Sequence, residues 1–517
     1  MRKKVYSLLA KTYACGLQGV DGFLVEVEAF ISGGMVNFEV VGLPSAAVKE
    51  SRDRIRAAIA VSGFEFPMGK VTVNLAPADI RKEGSAFDLS IAMSVLSAKE
   101  PERFAELGQT MLLGELSLQG KLMPIRGALG MAITAAENGI RSLILPAQNA
   151  EECACIEQIS IYPAETLAQV YAHLAGQKRI SPLQGRLYSE LLQESPVVHD
   201  MKYVRGQAIA RKAVEIAAAG GHNLLMVGIP GSGKTMLARC LPGILPPLTY
   251  AEALETTLIH STAGELGVEN SLMTQRPFRA PHHSISVPAM VGGGNRARPG
   301  EVSLAHNGVL FLDELPEFQR ATLESLRQPL EDGFVNVTRI NGQNRYQSHC
   351  MLVAGMNPCP CGNMGSRTKE CTCSPNEIKR YLSRISGPLL DRIDIQVEMD
   401  AVSIDEIESA AMQEDSHTIR KRVLAARKKQ LDRYAAHGYH CNAQLDQKGL
   451  EAFCALTPDA RKVLHQAVDR FHISMRTYGR IRKVARTIAD LAGHERIELA
   501  DIAQAIQFRN VDGRYGR

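Results

Sequence analysis

The chain has no tryptophan, and aromatic residues make up only 5% of its 517 positions. Proteins that hold single strands of nucleic acid by stacking need a platform of such rings, so a grip on a polyanion here would have to rest on charge. Charge of one sign is not in excess either. Lys and Arg number 59 against 55 Asp and Glu, a formal net charge of +4, which is too small to identify a nucleic-acid partner without knowing where the charges lie. Long apolar runs are also missing: none approaches the roughly 18–20 residues of a transmembrane helix. The basic start Met1-Arg2-Lys3-Lys4 with Val5 to Ala10 imitates a secretory leader, but Lys11 cuts the apolar stretch short and strand-like alternation follows. A cytoplasmic protein is expected. Eleven cysteines are too few for a disulfide framework in a chain of this length. Seven of them (Cys15, Cys153, Cys155, Cys240, Cys350, Cys441, Cys454) are scattered in the manner of reduced, buried thiols, and four cluster. There is no internal repeat and no low-complexity tract.

What remains is ordinary globular composition, 45% hydrophobic and 22% charged, long enough for about three domains with cores of their own. Residues 1–175 mix β-like runs (Phe23 to Val27, Lys70 to Leu75) with helical periodicity (Ala46 to Val61, Phe87 to Ala98, Ala128 to Asn138). A polar segment with glycine and proline at 176–203 reads as a linker. Residues 204–400 alternate strands and helices, the pattern of a parallel sheet, and 401–517 are helical throughout.

The strongest signal is the apolar run Leu224 to Val227, then Gly228-Ile229-Pro230-Gly231-Ser232-Gly233-Lys234-Thr235, then the helical Met236-Leu237-Ala238-Arg239. A buried strand, a glycine loop and a helix in that order form a phosphate-binding loop. Its backbone N–H groups and the helix dipole surround phosphate oxygens. Lys234 reaches the β- and γ-phosphates and Thr235 offers a hydroxyl to Mg²⁺, so the expected ligand is ATP with Mg²⁺. The alternative, a glycine turn before a helix, does not explain Gly-Lys-Thr at this spacing.

Downstream, Val309 to Leu312 is an apolar strand ending in Asp313-Glu314. Such a strand tip in a doubly wound sheet delivers one carboxylate, Asp313, to Mg²⁺ and a second, Glu314, to the attacking water. The next apolar strand, Met351 to Met356, ends in Asn357, an amide that can touch the γ-phosphate rather than merely form a turn before Pro358. Leu389-Leu390-Asp391-Arg392-Ile393-Asp394 offers Arg392 either as a finger toward a neighbouring subunit's nucleotide or as a partner of Asp391 or Asp394.

Together these elements resemble AAA+ ATPases, and more narrowly the magnesium-chelatase-like branch with the YifB/ComM proteins. Pro277-Phe278-Arg279-Ala280-Pro281-His282-His283 with Pro299 to Gly308 resembles that family's insertion in the second helix, and Val335 to Tyr346 its hairpin. Ser474-Met475-Arg476 at the head of a helix resembles its second sensor, which puts Arg476 on nucleotide. Ile229 and Gln347-Ser348 depart from the family pattern. Ile229 contributes mainly backbone, whereas the Gln347-Ser348 change falls in a hairpin strand that bears on partner contacts.

Across essentially the whole chain, the resemblance implies an AAA+ core with a helical lid assembled as a homo-oligomeric ring, a hexamer in family terms. It also implies a DNA helicase or branch-migration motor in recombination and natural transformation. A chelatase-type motor acting on a protein or metal-insertion partner is the alternative, and an ATP-dependent protease a more distant one.

Two further features complete the reading. Cys359-Pro360-Cys361 and Cys371-Thr372-Cys373 are two close pairs that could close a structural Zn²⁺ site, form a redox dithiol or be unrelated thiols. Gly84 to Leu89, with Gly114 to Ser117 and Pro124 to Gly127, resembles the Lon-protease or ribosomal S5 domain 2-like α/β fold. The serine nucleophile of Lon falls at Ala86 and its lysine at Met131, and Ser85 has no lysine placed to activate it, so a non-proteolytic domain is expected. Basic residues that could meet a phosphate backbone are Arg420, Lys421, Arg422, Arg427, Lys428, Lys429 and Arg433 in the lid, and Arg296, Arg298, Arg339 and Arg345 in the two insertions, which point at the pore in ring-shaped relatives.

Overall fold

The structure is a computed structural model. It describes residues 8–185, 188–192, 198–266, 272–294, 297–339, 342–366, 369–402 and 413–509, with backbone only at 338–339 and 342–343. The chain forms two compact units, one of residues 1–193, 250–274 and 340–345, the other of 194–249, 275–339 and 346–517. A core running without interruption from 204 to 400 is the sequence expectation; by contact, the helix Tyr250–Ala263 groups instead with the N-terminal residues.

The first unit is built on a seven-stranded sheet. Its strands are Leu8–Gln18 (β1), Asp21–Ser32 (β2), Asn37–Val41 (β3), Lys70–Ala76 (β4), Thr110–Leu112 (β5), Ser142–Pro146 (β6) and Ser160–Ala164 (β7), in the order β3-β4-β2-β1-β5-β6-β7. β1 and β2 form an antiparallel hairpin across Gln18↔Asp21, while β5, β6 and β7 run parallel. Alternation of buried and exposed residues along β4 leaves one face for the core. The helix Asp88–Ser97 is buried along its whole length, as its Leu-Ser-Ile-Ala-Met-Ser-Val-Leu sequence permits, and its serines return their hydroxyls to backbone carbonyls.

The second unit holds a five-stranded sheet of Leu224–Gly228 (β8), Phe278–Arg279 (β9), Val309–Leu312 (β10), Met351–Met356 (β11) and Ile395–Met399 (β12), ordered β9-β10-β11-β8-β12. All its pairings are parallel. β8, β10 and β11 are buried at every position, which is why they read as unbroken apolar runs. The segment from Pro277 therefore contributes an edge strand, and does not lie wholly in a helix insertion. The hairpin strands Phe334–Arg339 and Gly342–Gln347 form a separate two-stranded sheet.

The helical lid shares the core of this second unit. Its helix Ser416–Tyr434 packs on the helix Ala208–Gly220, where Gln430 Nε2 donates to the Ala219 carbonyl at 3.0 Å. The fold is thus α/β: a Lon/S5-like N-terminal domain, an AAA+ core and a helical lid. No helix among the described residues is long and apolar enough to cross a membrane. Six of the seven scattered cysteines are buried, and Cys350 is partly so.

Candidate active site

The loop after β8 closes around its own lysine. Lys234 is buried, and its ammonium donates to the carbonyls of Gly228 (2.7 Å) and Ile229 (3.1 Å) and to Asn357 Oδ1 (3.2 Å). Burial lowers its pKa, opposed by the charges of Asp313 and Glu314. Pro230 and Ser232 complete the loop, and Gly231 and Gly233 adopt left-handed φ of 80° and 91°. The Ser232 hydroxyl is buried without a partner among the described residues. Gln207, itself left-handed, braces the loop from behind by donating to the carbonyls of Ser232 (3.3 Å) and Asp400 (2.6 Å).

The acidic strand β10 does not neighbour β8, because β11 lies between them. The gap is crossed by side chains. Thr235 Oγ1 donates to Asp313 Oδ2 at 2.6 Å, and the Glu314 N–H donates to Asp313 Oδ1 at 3.0 Å. Gly355 of β11 makes the crossing possible, since a Cβ there would lie 2.9 Å from Asp313 Oδ1. Glu314 leaves the strand with a left-handed φ of 52°, and its exposed carboxylate lies 3.5 Å from His283 Nδ1. Gly355→Ala should fold, because its backbone is not left-handed, yet push Asp313 off Thr235. A rise of about tenfold or more in the Mg²⁺ concentration giving half-maximal ATP turnover is the expected readout, and an unchanged Mg²⁺ dependence would refute this role for Gly355.

Arg392 is buried, and neither suggested carboxylate holds it. Its guanidinium donates to the carbonyls of Arg327 (3.1 Å) and Pro388 (2.7 Å) and pairs with Glu331. Asp394 is occupied elsewhere, by Arg480, by His222 at 3.6 Å and by the Asn223 N–H at 3.0 Å. Burial works against the Asp394 charge, but Arg480 and His222 hold its pKa well below the usual range. Arg476 is half exposed and lies 4.0 Å from the same Glu331. Both arginines therefore converge on one carboxylate. Sequence reasoning missed Glu331, Gln207 and the approach of His283 to Glu314. His283 alone lay within a motif that could have signalled it.

The four clustered thiols come together. Cys359 Sγ is 3.4 Å from Cys361 Sγ and 3.6 Å from Cys371 Sγ, Cys361 and Cys371 are 3.6 Å apart, and all four sulfurs lie within 4.8 Å of one another. Sulfurs 2.3 Å from a tetrahedral zinc stand about 3.8 Å apart, whereas a disulfide needs about 2.05 Å. The donor set and spacing fit a zinc-type ion.

In the first unit, the Ser85 hydroxyl donates to the Glu115 carboxylate, while Ala86 and Met131 are buried. Asp88 is paired with Arg54 at 2.8 Å, and burial raises its pKa to about 6. Lys82 is fully buried, with its ammonium on the Ile80 carbonyl at 2.9 Å.

The lid helix spends much of its charge internally. Arg422 pairs with Glu215 and Glu414, Arg433 with Asp490, Lys429 with the Asp490 carbonyl, and Arg427 with the carbonyls of Ala218 and His440. Arg420, Lys421 and Lys428 make no such contact among the described residues. Arg296 lies outside the described residues, Arg339 is described by backbone only, and Arg298 and Arg345 fall in different compact units.

Comparison with known proteins places these elements in a family. Residues 200–407 match the model "Magnesium chelatase, subunit ChlI", residues 27–149 "Subunit ChlI of Mg-chelatase" and residues 413–509 "Magnesium chelatase, subunit ChlI C-terminal". The chain is 42% identical over 510 residues to the competence protein ComM of Haemophilus influenzae, covering 97% of each chain. It is likewise 42% identical over 496 residues to the uncharacterized protein YifB of Escherichia coli, covering 96% of each. An archaeal Lon protease of Thermococcus kodakarensis is 28% identical over 194 residues, 32% of this chain. The chain belongs to the magnesium-chelatase-like AAA+ family that includes the YifB and ComM proteins.

Proposed function

We propose that this protein is a ring-forming ATPase that drives DNA, a helicase or branch-migration motor serving recombination and natural transformation in the cytoplasm. The observation that carries the ATPase reading is the junction of Lys234 with Asn357 on the neighbouring strand and of Thr235 with Asp313 across that strand. Gly228 to Thr235 would bind the ATP phosphates, Thr235 and Asp313 would hold Mg²⁺, and Glu314 would orient and deprotonate water, with His283 beside it. Mg²⁺ supplies charge neutralisation on the phosphates when bound. Asn357, already on Lys234, would report the γ-phosphate. Arg392 and Arg476, both on Glu331, would serve a nucleotide at the junction with the next subunit of a homo-oligomer, hexameric by analogy with the family's rings. The Cys359, Cys361, Cys371 and Cys373 set would hold structural Zn²⁺.

The DNA partner rests on near-full-length identity to a protein named for competence. A chelatase-type motor on a protein partner is the second reading. It is favoured by the internal pairing of Arg422, Arg427, Lys429 and Arg433, which leaves the lid helix fewer cations for phosphate. A proteolytic reading lacks support, since Ser85 meets a carboxylate rather than a base amine.

ATP turnover measured with and without forked and single-stranded DNA separates the two motors. The DNA motor should be stimulated about fivefold or more at low salt, with the stimulation falling steeply as salt rises because it depends on phosphate contacts. Turnover indifferent to either DNA across the salt range would reject DNA as the substrate.

A further inference from the structure

We propose that the four-cysteine centre is a positioning element of the nucleotide site: its bound zinc-type ion fixes the phosphate-binding loop and Asn357 in working geometry. The inference rests on the ATPase reading above and extends it to the metal. The thiols sit on a loop whose two ends meet the active site. At its start, Asn357 stands two residues before Cys359 and accepts a hydrogen bond from Lys234 at 3.2 Å.

Between the first cysteine pair and the rest of the loop, Gly362 lies against Pro230. A Cβ at Gly362 would approach the Pro230 ring to 2.7 Å, so only glycine allows this contact, and the same residue turns with a left-handed φ of 80°. Beyond the second pair, Ser374 immediately starts the helix Pro375–Leu382 with a capping box to Glu377. Tyr381 of that helix is buried, which raises its pKa to about 12, and the nearby Asn357 backbone works against that rise.

The cysteine loop thus joins the nucleotide site directly at Asn357 and presses on it at Pro230, while the helix that follows brings Tyr381 near the Asn357 backbone. Among the described residues of the loop, backbone amides reach the sulfurs. The Cys361 N–H donates to Cys373 Sγ at 3.4 Å and the Met364 N–H to Cys359 Sγ at 3.3 Å. Amides donating to sulfur suit thiolates, the form a metal takes. Of the four thiols, Cys359 is buried and the other three are partly exposed. Without an ion, the Cys359, Cys361 and Cys371 sulfurs at 3.4–3.6 Å repel one another once ionised, which would loosen the turn that sets Gly362 against Pro230.

The test uses the full chain, prepared from zinc-replete and zinc-depleted cultures under reducing conditions. Bound metal is counted by elemental analysis, binding of a fluorescent ATP analogue is titrated, and kcat and KM for ATP are measured with Mg²⁺ in excess. About one zinc per chain is expected in the replete protein. The depleted protein should keep a cooperative thermal transition of its core but bind the analogue at least about tenfold more weakly, and stoichiometric zinc should restore it.

Cys371→Ser should reproduce the depleted state. Cys371→His, which keeps a zinc ligand, should retain metal and most of the affinity. Gly362→Ala should retain the metal and still weaken ATP binding, a result a merely structural metal would not give. Replete protein with no metal, or with the four cysteines found as disulfides, overturns the proposal. So does metal removal or Gly362→Ala that leaves ATP affinity and kcat unchanged. Zinc-loaded protein unable to bind ATP at all would instead strike down the nucleotide reading beneath it.

Discussion

Glu314→Gln is expected to bind ATP within about twofold of the parent protein while hydrolysing it some 10²–10⁴-fold more slowly, the range a positioned general base contributes. Lys234→Ala is expected to show no measurable ATP binding and therefore no turnover. The asymmetry follows from where the two groups stand. Lys234 is buried inside the loop, its ammonium held by the carbonyls of Gly228 and Ile229 and by Asn357. Removing it leaves those acceptors buried and strips the loop of its one fixed cation, so both the ground state and the transition state lose it.

Glu314 makes no contact with the loop. It points outward from the strand tip through a left-handed backbone, exposed, with His283 3.5 Å away. A group in that position acts on a water arriving from outside, and its loss appears in kcat. Titration of a fluorescent ATP analogue together with steady-state turnover checks both variants. Equal loss of binding in the two would remove Glu314 from the water-activating role.

The chemistry that needs contiguous residues was legible in the sequence. A phosphate loop is eight consecutive positions, and the strands that deliver Asp313 and Asn357 announce themselves as four to six apolar residues before a polar tip. Buried parallel strands have to read that way because both faces are covered. The four cysteines were visible for a related reason: their two pairs are local, and only the closing distance was unknown.

What escaped was anything joined across the chain. Arg392 has two acids within two residues, yet its partner is Glu331, 61 positions away, because the buried Asp394 is already committed to Arg480 from the lid and to His222 from the turn before β8. Gly355 and Gly362 looked like ordinary strand and loop glycines. Their meaning lies in Asp313 and Pro230, which approach where a Cβ would stand. The grouping of Tyr250–Ala263 with the N-terminal residues was equally invisible, because amphipathic periodicity names a buried face and not what buries it.

The convergence of Arg392 and Arg476 on Glu331 sets up an expectation that neither arginine would give alone. If both are presented to the nucleotide of the next subunit, Arg392→Ala and Arg476→Ala should each form oligomers that bind ATP normally and lose on the order of 10³-fold in turnover. Mixing either with Lys234→Ala subunits, which lack a working loop but keep both arginines, should restore activity. In a head-to-tail ring mixed at random in equal amounts, about a quarter of the interfaces would pair an intact loop with intact arginines.

The decisive arm mixes Arg392→Ala with Arg476→Ala. When both arginines must come from one subunit, every interface in that mixture lacks one of them and activity stays lost. If Arg476 instead serves its own subunit's nucleotide, an Arg392→Ala subunit with its own Arg476 would meet Arg392 from its neighbour, and turnover would return. Burial of Arg392 against the carbonyls of Arg327 and Pro388 raises the opposite possibility, a brace inside one subunit. That role predicts a lowered melting temperature for Arg392→Ala and no recovery when it is mixed with Lys234→Ala.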